Sequence, residues 1–275
     1  MSEMNLNFED VEFDDFCEDV QAENDDPLEA MAPAKKSMVL FFVIDVSASM
    51  RGERINTMNQ VMRDVLPELI GVGESTTEIK VAVLAFGSGF EWITPEPMIL
   101  EEYQRWRDLE AEGVTDLGAA LLELNQKMSR KSFLQSPSLS YAPVVFLITD
   151  GCPTDNYKAG ITALRSNNWF KHGIKIALAL GNGVDMDVLE EFTGDREFVV
   201  KANNLKEMTA LVRAISVTSS QIGSKSMPVG ESNGELDESS VEGSKQEQMR
   251  EALKDLKADI MSESGDYSFD VDEGW

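Results

Sequence analysis

The chain has 275 residues, 42% of them hydrophobic, and a formal net charge of −26, enough apolar material for one large domain with extensions. The charge is uneven: residues 1–37 hold 12 acids against 2 bases and residues 218–275 hold 14 against 5, while the 180 residues between hold 24 against 17. No run concentrates Lys and Arg as a phosphate-binding surface requires, which excludes nucleic acid, and no stretch reaches the ~20 apolar residues of a membrane span.

Residues 1–36 alternate acids with isolated Phe8, Phe13 and Phe16, then pass through Asp26-Pro27 and Ala32-Pro33. No helical or strand period runs through them, so an acidic disordered arm is expected over 1–37, with the phenylalanines as docking points. Glu3, Glu9 and Asp10 stand where a secretion leader would be basic and then apolar, and the cytoplasm is the expected compartment.

At Met38 the pattern changes. Residues 38–44 form a continuous apolar run that ends at Asp45, as suits a strand buried on both faces. Similar runs stand at 79–86, 144–149 and 174–180, with a shorter one at 198–200. Between them Ile55, Met58, Val61, Met62, Val65, Leu66 and Leu69 keep a helical period, as do Leu117, Leu121, Leu124 and Met128, and Leu205, Met208, Leu211, Val212 and Ile215. Strands alternating with amphipathic helices predict an α/β domain over 38–221: a mostly parallel central sheet with helices on both faces. Residues 91–99, which include Pro95 and Pro97, predict one antiparallel edge strand, where proline is tolerated.

Residues 222–240 are rich in Gly, Ser, Glu and Asp and predict a linker. Met249, Leu253, Leu256 and Ile260 then share one face of a helix over about 246–261. Glu247, Glu251 and Asp255 repel along it, so it needs a surface to lie on. The tail 266–275 repeats the acidic and aromatic composition of the N-terminal arm.

Two cysteines, Cys17 and Cys152, and one histidine cannot supply four Cys/His ligands to zinc. That histidine, His172, lies between Lys171 and Gly173, the composition of a helix C-terminus. It completes no catalytic pattern. Neither Gly-x-x-x-x-Gly-Lys nor Gly-x-Gly-x-x-Gly occurs, so nucleotide binding has no support. What remains is a set of polar residues at strand ends, where an open parallel sheet binds ligands. The first strand ends in Asp45-Val46-Ser47-Ala48-Ser49 and a later one in Thr149-Asp150-Gly151; Gly113-Val114-Thr115-Asp116 leads into a helix. Asp116 and Asp155 are expected as helix-start residues.

Asp-x-Ser-x-Ser after a buried strand, a threonine about 70 residues on and a closing Asp-Gly resemble the metal-ion-dependent adhesion site of the von Willebrand factor A family. The resemblance covers about residues 38–218. It implies a Rossmann-like fold and a metal held by Asp45, Ser47, Ser49, Thr115 and Asp150. Residues 45–52 (DVSASMRG), 146–155 (FLITDGCPTD) and 179–194 (ALGNGVDMDVLEEFTG) are similar to the bacterial TerY-like, tellurium-resistance branch. Where that branch has Gly-Gly-Thr this chain has Gly113-Val114-Thr115, and Cys152 replaces a polar residue between Gly and Pro.

Three hydroxyls and two carboxylates offer oxygen only. That set suits Mg²⁺, which takes six oxygens at about 2.1 Å and dehydrates reluctantly; Mn²⁺ and Ca²⁺ are alternatives. The resemblance implies aspartates acting partly through water, so that mostly neutral oxygens face the ion and a position stays open for a partner protein's Asp or Glu. The expected function is therefore a Mg²⁺-dependent interaction module or adaptor, not an enzyme. The TerY-like branch further implies bacterial stress response or signalling, with a protein kinase and a PP2C-type phosphatase as companions. Two alternatives stand beside it. One is a scaffold acting through its acidic-aromatic arms. The other is a metal-dependent phosphoester hydrolase, against which stands Asp-Val-Ser where an aspartyl-phosphate enzyme has a second Asp. The arms carry carboxylates of their own, which either compete for the site or serve only as solubilising, charge-repulsive tails.

Overall fold

The computed structural model describes residues 35–70, 77–103, 106–136, 139–181, 183–202, 209–210, 212–214, 216–218, 247–255 and 258, all within one compact unit, Ala34–Trp275. The apolar run at 38–44 is the centre of β1 (Lys36–Asp45), buried from Ser37 onward. Its side chains alternate between two cores. Met38, Leu40, Phe42 and Ile44 enter one, and Val39, Phe41 and Val43 enter the other. Burial on both faces is why the run has no polar alternation.

Around β1 the elements follow as α1 (Glu53–Glu68), β2 (Thr77–Gly87), β3 (Gly89–Trp92), β4 (Met98–Ile99), α2 (Leu117–Lys127), β5 (Val144–Thr149), α3 (Tyr157–Ser166), α4 (Asn168–His172), β6 (Ile174–Leu180), α5 (Met186–Thr193) and β7 (Val199–Ala202). The sheet order is β3-β2-β1-β5-β6-β7, with β4 also paired to β2. Pairings among β2, β1, β5, β6 and β7 are parallel. The α1 residues Ile55, Met58, Val61, Met62, Val65 and Leu66 cover one face, while residues from α2, α3, α4 and α5 cover the other. The expected mostly parallel sheet with helices on both faces is the observed fold.

The antiparallel edge expected over 91–99 is present and divided in two. In β3, Phe90 pairs with Phe86, and in β4, Met98 pairs with Val81; Pro95 and Pro97 lie between, where no ladder hydrogen bond is required of them. Thr94 bridges the gap by accepting from the Val83 amide at 2.9 Å through its hydroxyl. The helices α3, α4 and α5, of 10, 5 and 8 residues, show too few apolar repeats to stand out by period. His172 closes α4, in keeping with the helix C-terminus expected for it. Phe198 belongs to a 3₁₀ turn, Arg196–Phe198, just ahead of β7.

Residues 1–34, with Phe8, Phe13, Phe16 and Cys17, lie outside the described residues, as do the linker 222–240, the tail 266–275, and Leu205, Met208, Leu211, Ile215, Leu256 and Ile260. Lys36 and Ser37, at the end of the expected arm 1–37, belong to β1. Residues 247–255 are helical, and their apolar face is covered. Met249 and Leu253 are 1% and 2% exposed and join the α1-side core. Arg250 fastens the same helix by ion pairs to Asp195 at 2.6 Å and to Glu197, and pairs within the helix with Glu247 at 2.7 Å. Substituting Leu253→Ala should lower unfolding free energy by about 2–4 kcal/mol, read from denaturant melts at constant slope. An unchanged midpoint would detach this helix from the core.

Candidate metal centre

The chain leaves β1 toward β2 on one side and returns to β5 on the other. The crevice above β1 and β5 is thus a topological switch point, the place where open α/β sheets take ligands. Ile44 pairs with Ile148, so Asp45 and Thr149, the next residues, end adjacent strands side by side. The Thr149 hydroxyl donates to Asp45 Oδ2 at 2.5 Å, and the Ser47 amide donates to Asp45 Oδ1 at 2.8 Å. Asp150 follows at the exit of β5, buried like Asp45.

Backbone bonds bring the third loop in. The Glu112 amide donates to the Val46 carbonyl at 2.7 Å, the Ala48 amide to the Gly113 carbonyl at 3.0 Å, and the Asp116 amide to the Gly87 carbonyl at 2.9 Å. On the far side, the Thr154 amide donates to the Thr115 carbonyl at 2.9 Å, and the Thr115 amide to the Thr154 hydroxyl at 3.1 Å. Gly113 makes the turn at φ +78°, where an added Cβ would stand 2.2 Å from Ser88 Oγ, so only glycine fits. Upstream, buried Asn59 of α1 pins the approach. Its amide oxygen accepts from Trp106 Nε1 at 3.0 Å and the Leu109 amide at 2.8 Å, and its Nδ2 donates to the Leu109 carbonyl at 2.9 Å.

The oxygens meet as a result. Ser47 Oγ and Ser49 Oγ are 3.0 Å apart, and Ser49 Oγ donates to Asp150 Oδ1 at 2.7 Å. Gly151 leaves a space open beside them. A Cβ added there would lie 3.5 Å from Ser49 Oγ, 3.8 Å from Thr115 Oγ1 and 3.9 Å from Asp45 Oδ2. All five residues expected at the site are therefore brought to one place. Three hydroxyls and two carboxylates around a small cradle fit a hard divalent cation. Among the described residues no group of three or more His, Cys, Asp or Glu gathers, so it is the hydroxyls that complete this cluster.

The electrostatics are unbalanced. Desolvation by burial pushes the Asp45 carboxyl above its ordinary value of 3.8; its hydrogen bonds with Ser47 and Thr149 pull it down, and the neighbouring Asp150 pushes it up. The folded chain therefore holds the Asp45 proton more tightly than the unfolded chain does. Its contribution to stability falls as pH rises from 3.8 through the raised value. Among the described residues, Arg54, ion-paired to Asp150, brings positive charge into these contacts.

Three contributors were not among the expected ligands: Thr149, Arg54 and Asn59. Thr149 had the signal of a strand-end hydroxyl next to Asp150. Arg54 and Asn59 stand at ordinary positions of an amphipathic helix and reveal themselves only through partners 96 and 50 residues away. The two aspartates expected at helix starts do different work. Asp116 is the N-cap residue of α2 without a side-chain cap bond; its carboxylate accepts from the Gly89 amide at 2.9 Å instead. Asp155 caps α2 rather than the helix that follows it, accepting from the Gly118 and Ala119 amides at 2.8 and 2.9 Å.

The fold and the oxygen cluster define a Rossmann-like α/β domain with a ligand crevice at the carboxyl edge of its sheet. The von Willebrand factor type A domain model matches residues 40–214, and the chain belongs to that family. Among solved structures it is similar to a von Willebrand factor type A protein from Catenulispora acidiphila, with TM-score 0.52 and 17% identity over 67% of this chain and 43% of that one. It is also similar to proximal thread matrix protein 1 from the mussel byssus, with TM-score 0.52 and 17% identity over 67% of this chain and 48% of that one. A further structure of that mussel protein, described as having a zinc-occupied MIDAS motif, matches at TM-score 0.52 and 16% identity over the same shares. At these identities the likeness is one of fold, and this chain spans less than half the length of those proteins. A search of curated proteins found no match.

In the presence of chelator, Asp45→Asn should melt higher than the wild type, because it removes a buried carboxylate without removing its shape. A gain of about 1–2 kcal/mol, or roughly 2–8 °C for a domain of this size, is expected. A melt at or below the wild type would mean that Asp45 costs the fold nothing.

Proposed function

We propose that Asp45, Ser47, Ser49, Thr115 and Asp150 hold one divalent cation, Mg²⁺ in the cell, and that the chain is a metal-dependent protein interaction module. The observation that carries this is the convergence of Asp45 Oδ2, Ser49 Oγ and Thr115 Oγ1 on the space beside Gly151. The cation would supply a Lewis-acidic contact for an outside carboxylate. The protein's part is to hold the hydroxyls rigidly through the three bonded loops and to keep the carboxylates engaged by their own donors. Both oxygens of Asp45 accept from Ser47 and Thr149, and both oxygens of Asp150 accept from Ser49 and Arg54. Carboxylates held this way support action at one remove, with neutral hydroxyls nearest the ion.

Membership of the von Willebrand factor type A family, whose domains serve generally as interaction modules, favours binding over catalysis. The surface beside the site favours it too. Val114, next to Thr115, is 48% exposed, and Phe90 is 45% exposed. Their loops touch through the Val114 amide, which donates to Ser88 Oγ at 3.2 Å. An acidic partner side chain would thus enter beside apolar contact area. The stretches 45–52, 146–155 and 179–194 support a place in the TerY-like branch. On that basis the partners are signalling proteins of the bacterial cytoplasm, a protein kinase and a PP2C-type phosphatase among them. The acidic arms 1–37 and 222–275 are a competing source of carboxylate. Among the described residues no helix is long and apolar enough to cross a membrane.

A cation at 100 times its dissociation constant stabilises the fold by about 2.7 kcal/mol, so Mg²⁺ or Mn²⁺ should raise the wild-type melting temperature by about 5–10 °C. Asp45→Asn should lose that rise. Proteins captured from the native cell in Mg²⁺ should be released by chelator and missed by Thr115→Ala, whose metal-free melt stays near the wild type. Capture that survives both would remove the metal from the function.

A further inference from the structure

One cationic side chain stands inside the oxygen cluster although the ligand set gives it no part. Arg54, in the first turn of α1, donates from Nη1 to Asp150 Oδ2 and, at 3.1 Å, to the Ser49 carbonyl. Its other terminal nitrogen rests against Gly181, just after β6, where an added Cβ would stand 3.2 Å from Nη2. Gly181 has φ +84°, so the turn out of β6 both demands glycine and leaves room for the guanidinium. The Asp150 side chain is fully buried and that of Arg54 is 45% exposed, so the cation reaches from solvent into the site. A positive charge in the first turn of a helix opposes the helix dipole. Arg54 is not explained by what it does for α1.

We infer that Arg54 is a built-in counter-ion that sets the balance of the site, loosening its hold on the divalent cation and tightening its hold on an outside carboxylate. The role rests on the metal-binding function proposed above. Asp45, Asp150 and Arg54 together carry one net negative charge. A bound divalent cation leaves the site at one net positive charge, and one carboxylate from a partner brings it to neutrality. Without Arg54 the loaded site would already be neutral and would have no net attraction for an anion. The half-exposed Arg54 side chain adds geometry to charge, since a planar guanidinium fork matches a carboxylate while a lysine ammonium offers only a point charge.

The test uses the full chain, Arg54→Gln and Arg54→Lys, with Mn²⁺ affinity read by calorimetry and by the Mn²⁺ resonance signal. Acetate is then titrated into the Mn²⁺-loaded proteins. Removing one unit charge several ångströms away, at the dielectric of a half-exposed site, is worth about tenfold. Arg54→Gln should therefore bind Mn²⁺ about tenfold more tightly and acetate about tenfold more weakly. Arg54→Lys should restore wild-type Mn²⁺ affinity and only part of the acetate affinity. A purely structural ion pair would weaken both together or leave both unchanged, and either result overturns the role of Arg54. A wild-type protein that takes up no Mn²⁺ would overturn the metal-binding function itself, and Arg54's role with it.

Discussion

Two carboxylates, Asp45 and Asp150, are buried at the ends of the adjacent strands β1 and β5, and most of the site's architecture answers to that pairing. A buried charge loses its hydration and must be compensated by donors or by an opposite charge. Here the compensation is partial. Ser47 and Thr149 donate to Asp45, Ser49 and Arg54 donate to Asp150, and Asp45 is still left with a raised proton affinity. A fold that keeps such a group where an apolar residue would be cheaper keeps it for use, and a desolvated acid in a crevice is a recognised mark of a functional position.

The rest of the domain makes the crowding of those groups sustainable. The two cores on either side of the sheet are continuous along β1, so its end point is fixed by close packing rather than by the loop that follows. Stacked Phe42 and Phe146, with ring centroids 4.9 Å apart, tie β1 to β5 one turn of side chains below the site. The short stretch 112–116 that carries Thr115 has little apolar burial of its own and depends on backbone bonds to the β1 loop, to Gly87 and to Thr154. Rigidity reaches the hydroxyls from three directions, and positioned oxygen is what a hard cation selects.

How much of this could be read from the sequence follows from the length scale of each feature. The strands were legible because burial on both faces writes them as unbroken apolar runs, as at 38–44. The helices α1 and α2 span enough turns to display their period, whereas α3, α4 and α5 are too short to do so. The edge at 91–99 was legible as an edge because of its prolines and as antiparallel because it follows the Gly87-Ser88-Gly89 turn, but its division into β3 and β4 depends on Thr94 reaching Val83, a contact that no local pattern announces. Asp45 and Asp150 were legible because they stand at the ends of apolar strand runs, and Ser47, Ser49 and Thr115 because they follow in the adjoining loop or lead into a helix. Arg54, Asn59 and the true helix capped by Asp155 were not, since their roles belong to partners distant in sequence. The helix at 247–255 was legible as amphipathic; the face that covers Met249 and Leu253 could come only from the fold.

The proposed function depends on a single cation resting among Ser47, Ser49 and Thr115. A crystal structure grown with Mn²⁺ and measured at the manganese absorption edge tests this most directly. One strong anomalous peak is expected beside Gly151, about 2 Å from the three hydroxyl oxygens, with Arg54 still paired to Asp150. A peak among the acidic residues elsewhere, or none at the crevice with manganese in excess, would contradict it.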